Sequence, residues 1–245
     1  MFKFYKISIF LILFFSVTPF SFSNPTENLS LFITEVDDFM KKWVKEGKVN
    51  YAAIKKNPEE INALYAQIGK ISLTETKGEE GKAFYINAYN IIVIHQVVQL
   101  YPIQSPMNQN GFFTGNKHLV AGEKLTLNQL EFKKLVIPFK DPRIHFSIAC
   151  AAKGCPKLAS YAYNPEKLTD QLEERVKKAV NDSEFTRVSS KEEKVQLSKI
   201  FSWYKKEFEE SHGDILTFIN DYRKTKIPES FELGFYEYNW ELNSK

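Results

Sequence analysis

The chain has 245 residues, a formal net charge of +3, and an ordinary globular composition apart from its 21 Phe and 12 Tyr. A chain of this length buries a real core without needing disulfides. Setting aside Lys3 and Lys6 takes 33 basic residues to 31 against 30 acidic, and a balance so even leaves no basic stripe and argues against nucleic acid as the main partner.

The first 23 residues, MFKFYKISIFLILFFSVTPFSFS, have a basic start, an apolar run from Ile7 to Val17, and small residues at Ser21 and Ser23. This reads as a secretory signal peptide cleaved after Ser23. The run is shorter than the roughly 20 residues that span a bilayer. No other stretch reaches that length. Residues 24–245 are therefore expected as one exported globular domain, in the periplasm or at the cell surface, with no membrane span after cleavage.

Residues 24–29 read as a short tether. Apolar positions at Leu31, Phe32, Val36, Phe39, Met40 and Trp43 mark one face of a helix that Gly47 ends, and VNY begins a short extended piece. A second helix is expected over 58–69. Residues 82–102 are apolar on nearly every side, which predicts a helix running through the core and stopped at Pro102. After a loop at 103–117, KHLVAGEKLTL predicts a hairpin turning at Gly122. The next helix opens with a capping box, Thr126 with Gln129. A strand is expected over 143–149, a helix over about 165–181, a hairpin in FTRVSSKEEKVQLS, two helices in KIFSWYKKEF and DILTFINDYRK, and a final strand in FELGFYEYNWELN. The fold class is α+β: a mostly helical single domain with a central buried helix and a small antiparallel sheet.

Three groups of residues call for an explanation. In the expected strand, Ile144, Phe146 and Ile148 share one face with Cys150, while Arg143, His145, Ser147 and Ala149 share the other. That alternation opposes a simple Cys150–His145 dyad and makes His95 the substitute base. Glu131 is four residues from both Leu127 and Leu135, so it sits on the apolar stripe of its helix. A buried carboxylate needs a partner, and Arg143 is the expected one; Arg143 is also the candidate to hold a ligand's carboxylate or phosphate. Asn87 and Asn90, with His95, form a polar seam in the central helix that either pins loops or floors a site.

Taken in order, KAFYINAYN, VAGEKLTLNQLE, DPRIHFSIACAAKGCP, KIFSWYKKEF and YEYNWELN resemble the domain-of-unknown-function family numbered 547. The resemblance implies a secreted bacterial member and no established reaction. Asn87, Asn90, Glu131, Arg143, His145, Cys150, Cys155 and Pro156 match its motif positions. The chain departs from the family pattern at Tyr85, Asn50 and Gly154. It departs also at Ala151, where the family usually has Gly, which weakens any requirement for a glycine-only backbone there.

Cys150 and Cys155 admit four readings. In an exported chain with two cysteines in one loop, a Cys150–Cys155 disulfide is the default. The alternatives are a Cys150 nucleophile with His145 or His95 as base and Asn87 or Asn90 as orienter, a redox pair, and a metal corner. The last two fit the spacing poorly, and no metal or cofactor is assigned. Two functions follow. One is a cysteine-dependent hydrolase or acyltransferase, papain- or transglutaminase-like, acting on envelope peptides or amides. The other is a non-enzymatic module that uses the disulfide, Arg143 and the asparagine seam to hold an unknown small molecule or peptide. The aromatic sets Trp203, Tyr204, Phe208 and Tyr236, Tyr238, Trp240 read as core, with glycan binding as the rival if Trp240 is exposed. His118 and His212 are expected to be solvated.

Overall fold

The computed structural model describes residues 25–74 and 76–245, so the expected signal segment at 1–23 lies outside the described residues. Helix α1 (Pro25–Trp43) already includes residues 25–29 of the stretch read as a tether. Its buried face is Leu29, Phe32, Ile33, Val36, Phe39 and Met40, whereas Leu31 points to solvent. A tight hairpin follows, β1 (Val44–Lys45) with β2 (Lys48–Val49), turning on positive φ at Glu46 and Gly47. Then come α2 (Tyr51–Lys56), whose N-terminus Asn50 caps by accepting from the Ala53 amide, and α3 (Glu59–Ile68). The short α2 was not legible in the periodicity.

Helix α4 (Glu79–Leu100) is the core rod, buried along nearly its whole length, and α1, α2 and α3 pack around it. The hairpin β3 (His118–Val120) and β4 (Glu123–Leu125) forms as expected, with positive φ at Ala121 and Gly122. The Thr126–Gln129 capping box then starts α5, which runs over 127–139. Its middle six residues, Glu131–Val136, are wound as a π-helix. Such wide turns shift side chains out of α-helical register and occur often at functional sites.

The strand expected over 143–149 does not form. Asp141 caps a 3₁₀ turn, Pro142–Phe146, by accepting from the Arg143 amide, with Pro142 at its first position. Asp-Pro is a helix-start signal, and here it outweighs the alternation of apolar residues. Downstream lie α6 (Leu168–Val180), the antiparallel pair β5 (Thr186–Ser189) and β6 (Lys194–Leu197), then α7 (Lys199–Trp203), α8 (Lys205–His212) and α9 (Ile215–Tyr222). The final strand shrinks to β7 (Glu232–Phe235), which pairs with β6 in parallel, not antiparallel. Residues 236–245 leave the sheet as an extended strap. The fold is α+β, as the elements imply. Among the described residues no helix is long and apolar enough to cross a membrane.

Two apolar clusters make the core. One surrounds α4; the other gathers Phe146, Phe201, Phe208 and Phe218 between α6, α7, α8 and α9. The segment 142–155 belongs to both. Ile144, Ile148, Ala149 and Ala151 enter the first cluster, and Phe146, Ala152 and Cys155 the second. The apolar residues that a strand would put on one face, Ile144, Phe146 and Ile148, are therefore divided between two cores.

Candidate functional site

The seam between the clusters is held by side-chain amides. Asn90 Nδ2 donates to the Ser147 carbonyl at 2.9 Å and Asn90 Oδ1 accepts from the Ala149 amide at 3.0 Å. Asn87 does the same for one residue, donating to the Tyr163 carbonyl at 2.8 Å and accepting from its amide at 2.9 Å. Each buried amide copies a strand neighbour's donor and acceptor, so two irregular segments dock on a helix without orphan backbone groups. Both asparagines are pins, and neither lines the cavity described next.

That cavity, about 370 Å³, opens at the seam. Its size suits a small molecule. Cys150 and Cys155, joined as a disulfide, form part of its wall with Pro156 and Ile148. The Tyr238 hydroxyl lies 3.1 Å from each sulfur; a disulfide carries no proton, so the hydroxyl donates. Trp203, Tyr204, Tyr238 and Trp240 supply an aromatic side, with Trp203 and Trp240 near-parallel at 5.9 Å and Trp203 49% exposed.

Glu131 reaches the same space from the π-helical turn. It is only 7% exposed; its carboxylate accepts from the Tyr204 hydroxyl at 2.6 Å and, more weakly, from Tyr89 at 3.5 Å. Burial pushes its pKa up, and the Tyr204 hydrogen bond only partly opposes this. A carboxyl with a raised pKa binds its proton better in the folded chain. Its contribution to stability is full below the unfolded value near 4.5 and is lost as pH rises through the folded value. Urea midpoints measured across pH should therefore show Glu131→Gln gaining on the wild type as pH rises from 4 to 8. A difference that stays flat would mean the carboxyl is not perturbed.

His145 lines the cavity as well. Its ring stacks on Tyr204 at 3.6 Å, its Nε2 meets Glu207 at 3.1 Å, and its buried Nδ1 has no partner among the described residues. The parity argument against a Cys150–His145 pair assumed a strand. With a 3₁₀ turn and a bend instead, both residues line one cavity, although no hydrogen bond joins them.

Other expectations are corrected. The Glu131–Arg143 pair is not formed. Arg143 grips Asp141 with two 2.9 Å bonds, the nearer carboxylate winning, and Lys82 of α4 approaches the same carboxylate at 3.5 Å. Arg143 does not line the cavity. His95 is equally remote from it: the ring stacks on Tyr65 at 3.9 Å, and burial takes its pKa down to about 4. His118 is not solvated but buried, with Nδ1 on the Tyr65 hydroxyl at 2.9 Å; His212, at the end of α8, is partly exposed beside Ser211. The two aromatic sets also divide. Phe208 is core, Trp203 is surface, and Tyr236 turns away to accept Arg187 over its ring at 3.8 Å. Tyr89 and Glu207 escaped the sequence reading and Tyr204 was read only as core, because each comes from a distant part of the chain and none breaks a local pattern. Among the described residues no cluster of three or more His, Cys, Asp and Glu is arranged to hold a metal ion.

The strap completes the wall. Lys153 and Gly154 donate to the Glu241 and Asn239 carbonyls at 2.7 and 2.9 Å, and the Asn243 amide donates back to Ala151 at 2.9 Å. A Cβ at Gly154 would stand 3.0 Å from the Asn239 backbone, so glycine permits this approach. Ala151 carries φ +63°, in the left-handed region that disfavours side chains. The backbone after Cys150 thus takes a conformation that favours glycine, although alanine stands there. Ala151→Gly is expected to stabilise by up to about 1 kcal/mol, read as a higher thermal midpoint; a lower midpoint would show that the lost methyl packing in the first cluster dominates.

No curated protein and no solved structure matches the chain. Residues 73–178, which include α4, the π-helical turn, both cysteines and most of α6, match a family model described as "Protein of unknown function, DUF547".

Proposed function

We propose that this is an exported ligand-binding module. Its cavity takes a small uncharged ligand with one flat apolar face and one hydrogen-bonding group, such as a sugar ring. The observation that carries this reading is the pairing of Cys150 with Cys155, which leaves the cavity with aromatic walls and a buried carboxyl but no thiol. Disulfides persist outside the cytoplasm, so an exported chain keeps this state. Trp203 and Trp240 offer flat faces for stacking, and Glu131 gives a polar anchor in a site poor in water, where one hydrogen bond discriminates strongly.

Intrinsic tryptophan fluorescence, titrated with a panel of mono- and disaccharides and aromatic amides, tests the reading. A saturable change is expected for at least one member, weakened about tenfold or more by Trp203→Ala, the loss typical of an aromatic hot spot. Trp203 is half-exposed, so the variant should fold normally. Binding that ignores the substitution would place the ligand elsewhere.

A second reading rests on His145 and Cys150 lining one cavity, with Glu207 bonded to the imidazole. In a reduced chain Cys150 would be the nucleophile, His145 its base and Glu207 the orienting group. The thiolate would attack an acyl carbonyl, expel an alcohol or amine, and yield its acyl group to water. Thiol counting on protein from the exporting cell separates the two. No iodoacetamide-reactive thiol until reduction supports the module; a fast-reacting Cys150 supports the enzyme.

A further inference from the structure

A second cleft of about 790 Å³ lies on the other side of the disulfide loop, between that loop, α6 and β5, with Cys155 and Pro156 common to both cavities. Arg175 lines it. This arginine sits on the apolar stripe of α6, three residues after Leu172 and four before Ala179, and is only 5% exposed. Its guanidinium makes no hydrogen bond or ion pair with any described residue, and its Nε is fully enclosed without an acceptor. A buried unpaired cation is among the costliest things a fold can contain.

The neighbouring charges relieve it only from a distance: Glu174 attracts Arg175 but makes no ion pair with it. Lys157 is taken by Asp182 at 2.6 Å, Lys178 by Glu174, and Lys153 by Glu241 at 2.5 Å. Glu237 is engaged by Lys199 at 2.5 Å. Arg187, also on the cleft wall, has no carboxylate partner among the described residues and lies over Tyr236. The cleft therefore holds two arginines with no ion-pair partner among the described residues, one of them buried. Exposed Glu46 and Glu184 stand on the same wall and disfavour a long polyanion.

We propose that this cleft is an oxyanion site, in which Arg175 anchors a single carboxylate or phosphate carried by a small ligand. The planar fork of a guanidinium matches both groups bidentately, and a desolvated arginine gives the strongest such contact. The site stands independently of what the aromatic cavity binds.

The test follows the Arg175 Nε–H resonance in side-chain nitrogen–proton spectra of the signal-free protein. Sodium phosphate and sodium succinate are titrated separately, with ionic strength held constant by sodium chloride. A saturable shift with either anion is expected, and the stronger of the two identifies the headgroup. A resonance that moves no more than in chloride alone would overturn the proposal. Arg175→Met should lose about tenfold or more in affinity, the equivalent of a charged hydrogen bond. It should also raise the thermal midpoint in anion-free buffer, because an apolar side chain replaces an unpaired charge. Undiminished anion binding by the variant overturns the assignment; if the variant does not fold, the wild-type resonance decides alone.

Discussion

Asn90→Ala is expected to destabilise the protein by about 3–5 kcal/mol, a large share of the stability of any domain this size. The substitution removes two hydrogen bonds, but the greater effect is on what remains. The Ser147 carbonyl and the Ala149 amide stay buried against α4 with no partner. Each orphaned group costs about 1–3 kcal/mol, and the missing side chain adds a small cavity. Asn90→Asp is informative beside it. The carboxylate still accepts from Ala149 but turns a second oxygen toward the Ser147 carbonyl, so it should be no better than alanine. Urea denaturation reads both, as a fall in midpoint at unchanged slope. A loss under about 1 kcal/mol for the alanine variant would mean that water replaces the amide, and that the seam is looser than its geometry implies.

The asparagine seam was legible in the sequence because a polar residue on a rod that is apolar all round has to be explained. The same logic found Glu131 on its stripe, and local chemistry found the capping box and two of the three hairpins. What failed was the choice between local and distant partners. Arg143 was assigned to Glu131 because opposite charges attract, but Asp141 stands two residues away, already fixed as the cap of the 3₁₀ turn. Glu131 instead meets hydroxyls from α4 and from the junction between α7 and α8, and nothing in a one-dimensional pattern announces a tyrosine as a partner. The misread strand has a related cause. Apolar residues at every second position fit one face of a strand, but here Ile144 and Ile148 enter one cluster and Phe146 the other, so a 3₁₀ turn lying between two cores carries the pattern of a strand. The cavity exists for the same reason: where two clusters share one segment, their surfaces cannot close completely around it.

Phe146→Ala is expected to cost about 3–5 kcal/mol, and to cost it unevenly. The Phe146 ring lies 5.8–6.2 Å from those of Phe185, Phe201, Phe208 and Phe218, so it is the hub of the second cluster and the point where the 3₁₀ turn enters it. Removing it empties the centre of that cluster while Ile144 and Ile148 keep the segment on α4. Hydrogen exchange should therefore show protection falling first in α7, α8 and α9, with α4 retaining slow exchange, as units of unequal stability do. Phe146→Leu, which fills most of the volume, should lose only about 1–1.5 kcal/mol and leave the exchange pattern intact. If the aromatic cavity binds as proposed, the alanine variant should also lose that binding, because His145 next to it stacks on Tyr204 in the cavity wall. Uniform loss of protection across both clusters would show that they unfold as one unit, and that the seam is a continuous core interrupted by a cavity, not a joint between two.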